Sequence, residues 1–157
     1  MESSSKQLAD RFREVILHGT FIANTNYRQE LQGLSLSIAN AKVGTLNTIA
    51  TIAQHINYYV EGVLKVFDFR TLDIKDKFSF DFKPLTVQSD WDGFLNRFWN
   101  NCEQLALHFE KLNNEELDNV FVEEKYGSYL RNLEGMIEHC YYHLGQIVLL
   151  KKLAVSQ

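Results

Sequence analysis

His139 and His143 stand four residues apart near the end of the chain, and His55 stands alone in an earlier apolar stretch. A four-residue step puts two side chains on one side of a helix, one above the other. Two neutral imidazoles placed that way can bind one metal ion, and a third from a facing helix completes a set. Three protein ligands leave a fourth position for water or substrate, the pattern of a catalytic metal rather than a structural one. The competing reading of the same residues is three core-facing, hydrogen-bonded histidines. The pair lies on an otherwise apolar arc, where unpaired imidazoles are costly.

The elements that must position these rings follow from hydrophobic periodicity. Leu8, Phe12, Val15 and Ile16 predict a first helix over Ser5 to His18, with Ser5 as N-cap and Gly19 as stop. Tyr27, Leu31 and Leu34 suggest a short helix broken at Gly33, and 35–43 reads as another helical turn or a loop. Ile49, Ile52, Ala53, Ile56, Val60, Val63 and Leu64 form one stripe of a second long helix, from about Thr45 to Val66. His55 falls roughly 120° from the centre of that stripe, at the edge of the core face, with Tyr59 and Thr48 on the same margin. Trp91, Phe94, Leu95, Phe98, Cys102, Leu105 and Phe109 mark a third helix from Ser89 or Asp90 to Leu112.

The last long helix opens near Ser128 and continues to Leu153. It carries two apolar arcs, one with Leu133, Ile137 and Leu144, the other with Met136, His139, His143 and Leu150. A helix apolar on both sides is buried on both sides, so the pair faces inward. Cys140 and Glu138 each point about 100° away from His139 and are not assigned to the site. Glu115 and Glu116 read as the first turn of a short helix rather than as catalysts. His18 belongs at a helix end and His108 on a solvated face.

Between the second and third long helices, 67–88 has no sustained period. The alternation Lys77-Phe78-Ser79-Phe80-Asp81-Phe82 is a strand-like signal. A long loop of this kind should lay its phenylalanines on the domain or on a second subunit. Val120 to Tyr126, closed by Gly127, reads as a short hairpin arm. The expected fold is all-α: an antiparallel four-helix bundle with that long loop, and a short hairpin before the last helix. One domain spans 1–157.

Composition limits the partners. The net charge is −4, and Lys and Arg are scattered, which argues against nucleic acid. One proline, Pro84, suits long uninterrupted helices. Two cysteines do not make a disulfide framework. The start, Met1-Glu2-Ser3-Ser4-Ser5-Lys6, lacks a signal-peptide core, and no apolar run reaches membrane-spanning length. The expectation is a reduced, soluble, cytoplasmic protein with no membrane partner.

The strings Thr51-Ile52-Ala53-Gln54-His55-Ile56-Asn57-Tyr58-Tyr59 and Glu138-His139-Cys140-Tyr141-Tyr142-His143-Leu144-Gly145-Gln146-Ile147 resemble the two signature regions of the DinB/YfiT-like superfamily. That family places one histidine on its second long helix and an H-x-x-x-H pair, often followed by Gly-Gln, on its last. The likeness covers the helix order along nearly the whole chain, and Leu31-Gln32-Gly33-Leu34-Ser35 also looks similar. The resemblance implies that His55, His139 and His143 are metal ligands. It also implies a divalent transition metal (zinc, nickel or iron) and thiol-dependent transferase or isomerase chemistry. A homodimer is expected from the resemblance and from the many aromatics.

The reacting group would be a small thiol or water held by the ion, activated by its charge. A low-molecular-weight thiol S-transferase and a metal-dependent hydrolase both fit. Gln146 reads either as an amide that orients a ligand or as a helix-packing residue. Tyr59 reads either as a proton donor or as a core-edge aromatic. No carboxylate stands at ligand spacing from the histidines. The alternative function is a non-catalytic metal-binding or structural bundle, with the aromatic loop 67–82 as its partner surface.

Overall fold

The computed structural model describes residues 4–156. The polar N-terminal run lies partly outside them, at 1–3. Helix α1 (Ser4–Arg13) passes directly into a π-helical turn (Glu14–His18) that stops at Gly19. Ser5, expected as the N-cap, is instead a buried residue inside α1. The wider π turn buries three consecutive apolar residues, Val15, Ile16 and Leu17. Two short helices follow, α2 (Tyr27–Leu31) and α3 (Leu36–Ala39), capped by the Asn26 and Ser35 side chains.

Helix α4 (Ile49–Phe69) starts later than periodicity suggested, because Thr48 Oγ1 accepts the Thr51 N–H at 3.1 Å and sets the N-cap there. It ends where Arg70 turns left-handed at φ 58°. Helix α5 (Gln88–Lys111) precedes α6 (Asn114–Asp118), whose Asn113 and Glu116 form a capping box. Helix α7 (Tyr129–Val155) is capped by Ser128.

Two sequence expectations are corrected. The strand-like alternation at 77–82 forms no strand: Asp76–Phe78 is a 3-10 turn. The hairpin arm reduces to one antiparallel bridge between Val120 and Ser128 around a second 3-10 turn, Glu124–Tyr126. A two-period pattern makes a strand only where a partner edge receives its backbone groups, and none is paired with 77–82.

The long helices touch in a cycle: α1 against α5, α5 against α4, α4 against α7, and α7 against α1. Phe12, Tyr27, Trp91, Phe98 and Phe109 are fully buried at its centre. Phe12 and Phe109 join α1 to α5 with ring centroids 5.4 Å apart. Buried polar tips find partners: Tyr27 OH donates to the Cys140 carbonyl at 2.8 Å, and Trp91 Nε1 to the Leu34 carbonyl at 3.0 Å. Arg13 forks onto Glu103, 2.8 Å from its Nη2, and onto Glu110, fastening α1 to α5. No helix among the described residues is long and apolar enough to cross a membrane.

Cys102 and Cys140 are free thiols with no exposed surface, and burial pushes both well above the ordinary thiol range. Because the thiolate is the reactive form, both should be inert in the folded protein. Ellman's reagent is expected to find no thiol in native protein and both in denaturant. Rapid labelling of the native protein would mean that the core opens.

Candidate metal centre

His55 sits on α4, in the turn that follows Ile52 and Ala53, and is buried. His139 and His143 sit one turn apart on α7, the first half-buried and the second buried. Contact between α4 and α7 brings the three together. Their ring centroids are 4.6 to 5.1 Å apart, and one ring nitrogen from each lies within 4.8 Å of the others. Two nitrogens on one tetrahedral zinc stand about 3.3 Å apart. His55 Nε2 and His139 Nε2 are 3.3 Å apart.

The outer nitrogens fix the tautomers. His55 Nδ1 lies 2.9 Å from the Ser79 carbonyl oxygen, which can only accept, so the proton is on Nδ1 and Nε2 carries a lone pair. His143 Nδ1 donates to Gln146 Oε1 at 2.7 Å, which leaves its Nε2 lone pair free in the same way. Lone pairs on His55 Nε2 and His139 Nε2 would repel at this distance, so a proton or a metal ion must stand between them. Ligating histidines characteristically donate their other N–H to a carbonyl, carboxylate or water. The donor set, its spacing and its outer hydrogen bonds therefore fit a divalent metal.

The rings are also in the protonation state that a metal needs. Burial pushes His139 down to about 4, helped by the neighbouring His143 and His55. Burial lowers His55 against the Ser79 hydrogen bond, and lowers His143 against the Gln146 bond. All three are neutral at pH 7.

Residues 71–87 form a strap over this cluster. Phe80 stacks on His55 with centroids 4.0 Å apart and planes 9° from parallel. Tyr58 OH donates to the Lys75 carbonyl and accepts the Lys75 N–H, both at 3.0 Å. Ile74 lies so close to Gly62 on α4 that a Cβ there would stand 2.5 Å from its Cδ1. Glycine at 62 is what lets the strap seat. Phe82 meets Tyr58, and Phe67 packs inward, so much of the aromatic loop covers its own domain. Phe69 remains 70% exposed.

A cleft of about 910 Å³ opens beside His139, lined by Tyr59, Asp76, Val63, Leu72 and Met136 among others. Helical spacing found the three histidines and Gln146. It missed Ser79, Phe80 and Asp76, because the strap has no period to read. The ligand group holds no carboxylate, but Asp76 lines the same cleft as His139 and its Oδ1 accepts the Tyr59 hydroxyl at 2.9 Å. Cys140 is buried and lies outside the ligand group. His18 is exposed at the end of the π turn, as expected. His108 differs from expectation: it is half-buried, stacked on Phe67 at 4.9 Å, with Nε2 3.6 Å from Asp68. An apolar neighbour on the adjacent helix, which sequence spacing cannot reveal, covers it.

No family model matches this chain, and no curated protein or solved structure matches it at a significant level.

Proposed function

We propose that this protein is a DinB-like four-helix-bundle metalloprotein that activates a small thiol. The observation that carries the reading is the 3.3 Å approach of His55 Nε2 to His139 Nε2, with His143 alongside and the outer nitrogens of His55 and His143 tied by hydrogen bonds. The cyclic contacts of α1, α5, α4 and α7 support the bundle, and the signature residues on α4 and α7 support the family. His55, His139 and His143 would hold the ion. A divalent metal there supplies Lewis acidity, which lowers the pKa of a small thiol, or of water in the hydrolase variant, to give a nucleophile at neutral pH.

The chain's own residues prepare that chemistry. Ser79 and Gln146 orient two rings, Phe80 shields His55 from solvent, and the cleft gives a ligand access to His139. That access favours a ligand-handling site over a purely structural ion, whose position is closed. Exposed Tyr142 and Leu149 on α7 support the homodimer that the family reading carries.

Cobalt(II)-loaded protein tests the thiol reading. Addition of 2-mercaptoethanol is expected to raise a thiolate-to-cobalt charge-transfer absorption, and 2-methoxyethanol is expected to raise none. Cobalt uptake with a spectrum indifferent to the thiol would overturn the thiol reading and favour the hydrolytic one.

A further inference from the structure

Three neutral imidazoles bring no negative charge to a dication. A partly buried ion with a double positive charge and no counter-charge is electrostatically costly. A carboxylate near the cluster would offset that cost, and the strap brings one. Asp76 opens the 3-10 turn whose next residues are Lys77 and Phe78. Ser79 follows that turn, its carbonyl bonded to His55 Nδ1 at 2.9 Å and its hydroxyl donating to the Asp76 carbonyl at 2.7 Å. One turn therefore ties the Asp76 backbone to the His55 ring.

The Asp76 side chain is fixed as well. Tyr59, one turn beyond His55 on α4, donates its hydroxyl to Asp76 Oδ1 at 2.9 Å. The Tyr59 ring stands edge-on to His55 at 5.1 Å and to His139 at 5.2 Å. Asp76 and His139 line the same cleft. Asp76 is exposed, and its Oδ2 makes no hydrogen bond within the described residues. The other acids of the cleft are placed differently: Glu134 lies 3.9 Å from Arg11, and Glu138 is turned to solvent.

We propose that Asp76 is the counter-charge of the metal centre, held beside His55 and His139 by Tyr59 and the turn through Ser79, and that it strengthens binding of the dication. The inference rests on the reading of the histidines as ligands. Asp76 acts as a positioning and charge-balancing residue, and the strap carries it into place.

Competition titrations of zinc against a chromogenic chelator test this without any substrate. Asp76→Asn keeps size and hydrogen bonding but removes the charge, and is expected to weaken zinc binding by about tenfold to a hundredfold. Tyr59→Phe frees the carboxylate and should lose less. Asp73→Asn, an acid of the same exposed strap that neither lines the cleft nor bonds Tyr59, should bind within about twofold of wild type. Circular dichroism establishes that each variant folds. Wild-type affinity in Asp76→Asn, with zinc lost in His139→Ala, would overturn the counter-charge and leave the histidine site standing. Equal weakening by Asp73→Asn would also overturn it, since general surface charge would then explain the effect. A wild type that takes up no zinc, cobalt or nickel would overturn the histidine reading and the inference with it.

Discussion

His139→Ala is expected to lose the metal, against about one equivalent of a divalent transition ion expected in the wild type. The loss should be at least on the order of a hundredfold in affinity, because two remaining imidazoles cannot hold a borderline ion against water and competing chelators. His139 is the ring to change first. It is half-buried, lines the cleft, and faces His55 Nε2 at 3.3 Å, so its removal costs little core volume. His55 and His143 are more deeply set and carry the Ser79 and Gln146 hydrogen bonds, so their alanine variants would disturb the fold as well. Elemental analysis of untagged wild type beside His139→Ala reads the outcome directly. His139→Gln provides a variant of similar size should alanine unfold the helix pair. Retention of one equivalent in both variants would place the ion elsewhere.

Phe12→Ala is expected to cost about 4 kcal/mol of stability. Phe12 is fully buried and meets Phe109 across the α1–α5 contact. Deleting the ring loses its transfer free energy and leaves a cavity in a region already fastened by Arg13 to Glu103 and Glu110, so the walls cannot collapse freely. A domain of ordinary stability has about 5–15 kcal/mol in total, so this variant approaches the limit of folding. Urea denaturation of metal-free protein should show the midpoint falling with an unchanged slope, and thermal melting a drop of about 10 °C. Phe21→Ala is the matching control, since Phe21 is 69% exposed and should change little. A small effect at Phe12 would mean that α1 is loosely seated. Because α1 holds none of the three histidines, added metal should restore part of the lost stability through linkage.

These two experiments separate what was legible in the chain from what was not. Both α4 and α7 follow from apolar spacing, and so do their faces. A residue three or four positions on returns to the same side, which put His139 one turn from His143, Gln146 within reach of His143, and Cys140 outside the group. The helix ends shifted where a single hydroxyl decided the matter, as Thr48 did for α4. His55 stood at the edge of its stripe in the sequence and is buried in the fold, because α7 and the strap cover that edge.

Local periodicity is a property of one element at a time. It determined the all-helical class, the four long amphipathic segments and three histidines on two inward faces. It is silent on any segment whose shape depends on what it rests against. The strap is such a segment: Ile74 seats over Gly62, Tyr58 grips Lys75, and Phe80 stacks on His55 only once α4 exists as a surface. The alternation at 77–82 therefore resembled a strand and became a covering turn. Asp76, Ser79 and the cleft beside His139 came from tertiary contact alone, since Tyr59 and Asp76, 17 positions apart, and His55 and Ser79, 24 apart, meet only once the strap folds back over α4.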